Sequence, residues 1–275
     1  MRVYSTMRWA VVAAVIAVGM NGCKPDTKPT DTATPNTTPA AATSTPAPVA
    51  TAADPATTGT VTGVVHLTGT PPAPVKIDMS MDPVCSMMGG DNYSEQYVAS
   101  GGKLANVFVY VKSGPAAAMN ANPGLAGDNG IHTVLDQKGC RYIPHVVAIA
   151  KGGTVEFRNS DSTMHNVHTM PVVAGNETVD VSQAPHGAPQ THQFIAPEIM
   201  MPVRCNNHPW MNAFINISAT PFFAVTGKDG SFKITGLPPG DYVLGFAQEK
   251  LGEQTAKVTV SAKGTAKTEA TFAMK

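Results

Sequence analysis

Cys205, His208 and Met211 occupy the first, fourth and last positions of a seven-residue stretch, Cys205-Asn206-Asn207-His208-Pro209-Trp210-Met211. A thiolate, an imidazole and a thioether at that spacing form a soft donor set. Two imidazoles and one thiolate, with a weak axial thioether, are the ligands of a blue-copper electron-transfer centre. The spacing has a physical reason. A tight loop at a strand end can aim side chains separated by two residues at one point, whereas a straight strand alternates them between faces. Alone, such a triplet arises by chance. The missing imidazole should come from a distant strand that the ion would nip against the first. His165 offers it, opening His165-Asn166-Val167-His168 after the polar turn that follows Asn159.

The elements that must position these residues are strands. The chain has 275 residues, 25 Gly and 23 Pro, with only 14% charged and 6% aromatic side chains. Low charge and many turn-formers point to short strands joined by loops. From Gly59 onward the period is two, with Val61, Val64 and Leu67, then Val107, Val109 and Val111, in alternating or β-branched runs. The pattern continues through Thr154–Phe157, Phe214–Ile217, Phe222–Val225, Phe232–Ile234, Tyr242–Leu244 and Val258–Val260. Lys228-Asp229-Gly230 and Pro238-Pro239-Gly240-Asp241 are turn sequences between strands. No window holds a helical period, so the expected fold class is all-β and sandwich-like.

Nineteen basic and nineteen acidic residues cancel. A neutral chain gains little from phosphate neutralisation, which excludes a nucleic-acid-binding role. Arg2 and Arg8 precede the apolar run Trp9–Met20, too short to span a bilayer and typical of a signal peptide. Gly22-Cys23 resembles a bacterial lipoprotein cleavage site, which implies residues 1–22 as the signal and Cys23 as the lipidated first residue, although Met20 and Asn21 depart from that pattern. Lys24 favours sorting to an outer membrane. The expected location is the periplasmic face of a membrane, or secretion if Cys23 is not lipidated. Residues 23–58 form a Thr/Pro/Ala tract that cannot bury enough apolar surface to fold, a tether.

Residues 144–218 resemble the amicyanin and plastocyanin-like cupredoxins. Three features carry the resemblance: Gly153–Asn159 leading into His165-Asn166-Val167-His168, the interval from His165 to Cys205, and the short Cys-x-x-His-Pro-aromatic-Met loop. The resemblance implies His165, Cys205 and His208 as close copper ligands and Met211 as the axial one, holding one mononuclear type 1 copper. It implies that Asn166 pins the two ligand loops together. It also implies that electrons leave through a surface-exposed His208 edge, within an apolar patch of Pro209, Trp210, Met170 and Pro171 that meets redox-protein partners. Trp210 is equally compatible with packing beneath the loop. His145 reads as a structural histidine, and His66, His132, His186 and His192 as surface or turn residues. No His-x-His pair or nucleophile elbow occurs, and Asp161, Glu177, Asp180, Glu198, Asp229 and Asp241 sit in ordinary turn and strand-end positions. The chain therefore reads as a non-enzyme.

Gly59–Val65, Val225–Leu244 and Ala256–Phe272 resemble the carboxypeptidase regulatory-like domain, a transthyretin-like β-sandwich. The expected organisation is a sandwich begun by residues 59–130 and completed by 219–275, with the cupredoxin of 131–218 inserted between, an arrangement that is tolerated when an insert's ends lie close together. With Cys23 lipidated and Cys205 a ligand, Cys85 and Cys140 remain to pair, a bridge worth roughly 4 kcal/mol in the chain-entropy view. The alternative is that one of them joins the Met-flanked stretch Met79–Met88 in holding Cu(I). The leading functional expectation is a tethered blue-copper electron carrier. A copper carrier or store, or a structural surface module with a vestigial site, are the alternatives.

Overall fold

The computed structural model describes residues 57–88, 90–126 and 128–274. The signal sequence, Cys23 and the tether up to residue 56 lie outside them. Alternation in the sequence becomes strand faces. In Gly59–Thr68, Val61, Val65 and Leu67 point inward and Val64 lies on the opposite, half-covered face. The strict period of two puts odd-numbered residues inside, so Val65 rather than Val64 is the core residue.

Gly59–Thr68 pairs antiparallel with Ser231–Leu237 and, over nine positions from Thr60↔Thr265 to Thr68↔Ala273, in parallel with Thr265–Ala273. The short strands Lys103–Leu104 and Ala99–Ser100 complete this sheet. A four-stranded sheet faces it, in the order Phe223–Val225, Phe108–Ser113, Gly240–Gln248 and Gly252–Val260. Val61, Val65 and Phe232 from one sheet meet Val109, Leu244 and Phe246 from the other in a shared core.

A second sandwich is formed entirely by chain lying between the two halves of the first. Its five-stranded sheet runs Asp180–Gln183, His165–Thr169, Glu198–Arg204, Asn212–Ser218, Val146–Ala150; its four-stranded sheet runs Gln190–Gln193, Thr154–Asn159, His132–Gln137, Tyr142–Ile143. Leu135, Val155 and Phe157 interlock with Val147, Val167, Val203 and Ile215. Among the described residues helix is confined to short pieces, such as Pro83–Met88 and Ala116–Met119. The all-β expectation holds.

Val146–Ala150 is buried along its whole length. A strand covered on both faces loses its alternation and reads as a continuous apolar run. One face supplies Val147 and Ile149 to the second core. The other turns Ala148 toward Phe108 and Tyr110 of the first sandwich. Beside that seam His145 Nε2 lies 2.7 Å from Glu249 Oε1, with both side chains only 4% exposed. His145 is therefore a structural residue joining the sandwiches.

Gly63 sits where the first sandwich is tightest. A methyl group there would lie 1.9 Å from the Thr268 carbonyl and 2.6 Å from the Phe232 ring. Gly63→Ala should cost about 1–3 kcal/mol by overpacking, read as a lower thermal unfolding midpoint. An unchanged midpoint would show that the parallel pairing with Thr265–Ala273 is looser than described.

Candidate metal centre

Strand Glu198–Arg204 delivers Cys205, and strand Asn212–Ser218 leaves from Met211. The loop between them folds back on itself. The Met211 N–H donates to the His208 carbonyl at 2.9 Å, and the Cys205 N–H to the Met211 carbonyl at 3.3 Å. Closed in this way, the loop buries Cys205, His208 and Met211 while leaving Asn206, Asn207 and Pro209 in solvent. The fourth residue comes from the turn before His165–Thr169. Buried Asn159 organises that turn: its Nδ2 donates to the carbonyls of Thr163, Gln183 and Ala184, and its Oδ1 accepts the Asp161 N–H. His165 emerges fully buried.

The two segments converge. His165 Nδ1 and His208 Nδ1 are 2.9 Å apart, Cys205 Sγ is 3.6 Å from His208 Nδ1, and one donor atom from each of the three residues lies within 4.8 Å of the others. Met211 is buried in the same core, beside Trp210. Asn166 joins the loops: its N–H points at Cys205 Sγ at 3.3 Å, its Oδ1 accepts the Asn206 N–H, and its Nδ2 donates to Asp180. His168 adds a contact between the same segments, with Nδ1 2.9 Å from Asn206 Oδ1, and lies partly exposed.

Two carboxylates decide what the imidazoles can do. His165 Nε2 lies 2.9 Å from Asp161 Oδ2, and His208 Nε2 lies 3.0 Å from Asp82 Oδ2. A carboxylate only accepts hydrogen bonds, so each Nε2 carries a proton, and in the neutral ring each Nδ1 then presents a lone pair. Two Nδ1 atoms 2.9 Å apart beside a sulfur must share a proton or a metal ion, since two bare lone pairs would repel. Nitrogen donors about 2.0–2.1 Å from a common ion in tetrahedral arrangement stand roughly 3.3 Å apart, so a small outward shift of the rings from 2.9 Å would admit one ion. The donor set therefore fits a single soft or borderline metal ion.

The electrostatics agree. Burial pushes the Cys205 thiol up, but hydrogen bonds from His165, from the Asn166 and Asn207 N–H groups and from His208 outweigh it and bring the thiol down to about 7. Burial would lower His165; its hydrogen bonds to Asp161 and Cys205 instead leave it raised. Burial likewise opposes ionisation of Asp161, yet the His165 contact and the Cys140 and Gly139 N–H groups hold it below the ordinary carboxylate range. Asp82 is lowered against its burial by His208 and by the Cys85 and Val84 N–H groups.

His208 is not the exposed edge that the sequence suggests. Only 4% of it is exposed, and Cys85 Sγ lies 3.9 Å from its Nε2. The cover is the segment around helix Pro83–Met88, tied down by a disulfide between Cys85 and Cys140. Both sulfurs are consumed in that bond, so neither is a thiolate ligand, and Cys205 is the free cysteine among the described residues. Trp210 packs beneath this cover, its Nε1 donating to the Cys140 carbonyl at 3.1 Å and its ring centroid 5.0 Å from that of His208. It is a packing residue rather than part of an open patch. Asp82 and Asp161 were not distinguishable in sequence from ordinary turn carboxylates. The only local signal was the position of Asp161 four residues before His165.

Neither a protein-family profile nor a curated protein matches the chain. Among solved structures it is similar to a Cu-containing nitrite reductase from Thermus scotoductus SA-01, at 26% identity over 31% of this chain and 22% of that one, with a TM-score of 0.28. The chain thus spans about a fifth of that reductase's length. It is also similar to a point mutant of amicyanin in its Cu(I) form, at 18% identity over 41% of this chain and 98% of that one, TM-score 0.28. A purple cupredoxin from Nitrosopumilus maritimus matches at 25% identity over 28% of this chain and 81% of that one, TM-score 0.24. At these scores, what the site can do rests on its own geometry.

Asn159→Ala would strip four hydrogen bonds from the turn that presents His165. It should cost about 1–3 kcal/mol and weaken metal binding, whereas His168→Ala should leave both near wild type. Thermal unfolding with and without added metal checks this, and equal metal-induced stabilisation in Asn159→Ala and wild type would contradict it.

Proposed function

We propose that the chain is a mononuclear blue-copper protein of cupredoxin type that carries single electrons, with His165, Cys205 and His208 as close ligands and Met211 as the weak axial one. The observation that carries this reading is the convergence of two Nδ1 lone pairs and the Cys205 sulfur on one buried point. Copper bound there would supply one-electron exchange between its two common oxidation states without needing to gain or lose ligands.

The protein's own residues favour that exchange in three ways. The Asn166 N–H and the closed loop hold the Cys205 sulfur in one place. Asp82 and Asp161 fix both rings with Nδ1 inward. Burial of all four side chains excludes water, and with it extra oxygen ligands. A preformed, rigid donor set changes little between charge states, which keeps reorganisation small. A redox partner would meet the outer surface of the cover and exposed Met164 rather than the His208 ring. Export, lipidation at Cys23 and tethering by residues 23–58 to a periplasmic membrane face belong to the same proposal and rest on the sequence alone.

A second reading, a copper carrier or store, is supported by the exposed thioethers of Met81, Met87, Met88 and Met164, three of them within eight residues of the cover. Thioethers prefer Cu(I). Titration of the full chain separates the two readings. An electron carrier takes up one equivalent of Cu(II), develops an intense visible thiolate-to-copper band, cycles reversibly, and loses the band in Cys205→Ala. A carrier or store holds more than one equivalent of Cu(I) and keeps most of that capacity in Cys205→Ala. Folded protein that shows no band with Cu(II) would overturn the leading reading.

A further inference from the structure

Beyond the donor set itself, the described residues hold two more clusters of histidine, cysteine and carboxylate: Asp82 with Cys85 and His208, and Asp161 with Cys140 and His165. They share one plan. In the first, Asp82 Oδ2 meets His208 Nε2 at 3.0 Å, and Oδ1 accepts the N–H groups of Val84 at 2.7 Å and Cys85 at 3.2 Å. In the second, Asp161 Oδ2 meets His165 Nε2 at 2.9 Å and the Cys140 N–H at 2.8 Å, and Oδ1 accepts the Gly139 N–H at 2.7 Å. Each carboxylate thus joins one ligand imidazole to the backbone of one half of the same disulfide, Cys85–Cys140.

The two arms differ in what holds them. Asp161 lies in the turn that Asn159 organises, four residues from His165, and would stay there without the disulfide. Asp82 is 126 residues from His208 in sequence. Thr163 Oγ1, donating to Asp82 Oδ2 at 3.1 Å, and the disulfide keep it on the ring, with Arg141 holding Asn92 and Glu95 farther along the cover.

Resting on the copper reading above, we infer that Asp82 and Asp161 are positioning residues of the metal centre and that the Cys85–Cys140 disulfide is the brace holding Asp82 against His208. A carboxylate accepting the far N–H of a ligand imidazole orients the ring and makes its free nitrogen a stronger donor. Its negative charge, close to the ion, favours the higher-charged oxidation state. Removing the charge therefore lowers divalent-metal affinity and moves the redox balance toward the reduced ion. Opening the disulfide acts through Asp82 and leaves the His165 arm in place.

The test measures Zn(II) affinity by chelator competition, and the visible spectrum and midpoint potential of the copper-loaded protein. The full chain is compared with Asp82→Ala, Asp82→Asn, Asp161→Ala and the double variant Cys85→Ser/Cys140→Ser. Asp82→Ala should lose about 10–100-fold in Zn(II) affinity, raise the midpoint potential and perturb the thiolate band. Asp82→Asn keeps one acceptor oxygen, which the Val84 and Cys85 N–H groups can retain, and removes the charge and the acceptor facing His208, so it guards against a folding artefact. It should unfold at the wild-type temperature while Zn(II) affinity stays lowered and the potential raised. The double serine variant should resemble Asp82→Ala, and adding Asp82→Ala to it should cost little more. Zn(II) affinity and potential within twofold of wild type in Asp82→Ala, or a double serine variant with wild-type values, would overturn the inference. Wild-type chain that binds Zn(II) but gives no thiolate band with Cu(II) would sink the copper reading instead, and the Zn(II) affinities would still decide this one.

Discussion

Two imidazole nitrogens 2.9 Å apart beside a buried sulfur, each ring's other nitrogen already held by a carboxylate, need a proton or a metal ion to join them. Everything around the second sandwich's ligand end serves that juxtaposition. The Asn159-centred turn presents one ring, the self-closed loop from Cys205 to Met211 presents the other ring and the sulfur, and two carboxylates fix which nitrogen of each ring looks inward. Each device alone is ordinary. Together they leave a site that is electrostatically incomplete without a cation.

The scaffold supplies stiffness. The strand carrying Val146–Ala150 is pressed between the second core and the first sandwich, and its parallel partner Asn212–Ser218 starts directly after Met211. The ligand loop is therefore anchored to the most buried strand of its sheet. The His145–Glu249 pair and the Phe108–Tyr110 seam hold the two sandwiches in register on the same side. Confining both loop ends to packed strands limits how far the donors can move, which would suit the electron transfer proposed above.

Much of this was legible in the residues. Alternation marked the strands, the Cys-x-x-His-x-x-Met spacing marked the loop, and the polar turn before His165 marked its partner, because each of these is a local pattern. What escaped was set by distant closure. The cover over His208 depends on a bond between Cys85 and Cys140, 55 residues apart, and nothing near His208 in sequence announces that it will be covered. Asp82 and Asp161 look like turn and cap residues because they are turn and cap residues; their second role exists only once the chain is folded. Val64 and Val65 show the same limit in miniature, since adjacent β-branched residues leave the inward face undecided until a partner strand fixes it.

The central claim is that His165, Cys205 and His208 hold one ion together. X-ray absorption at the copper edge of the loaded protein tests it most directly. The account predicts one short sulfur and two imidazole nitrogens around the metal, with the sulfur shell gone in Cys205→Ala. A first shell of oxygen and nitrogen only, in protein whose disulfide is intact, would contradict it.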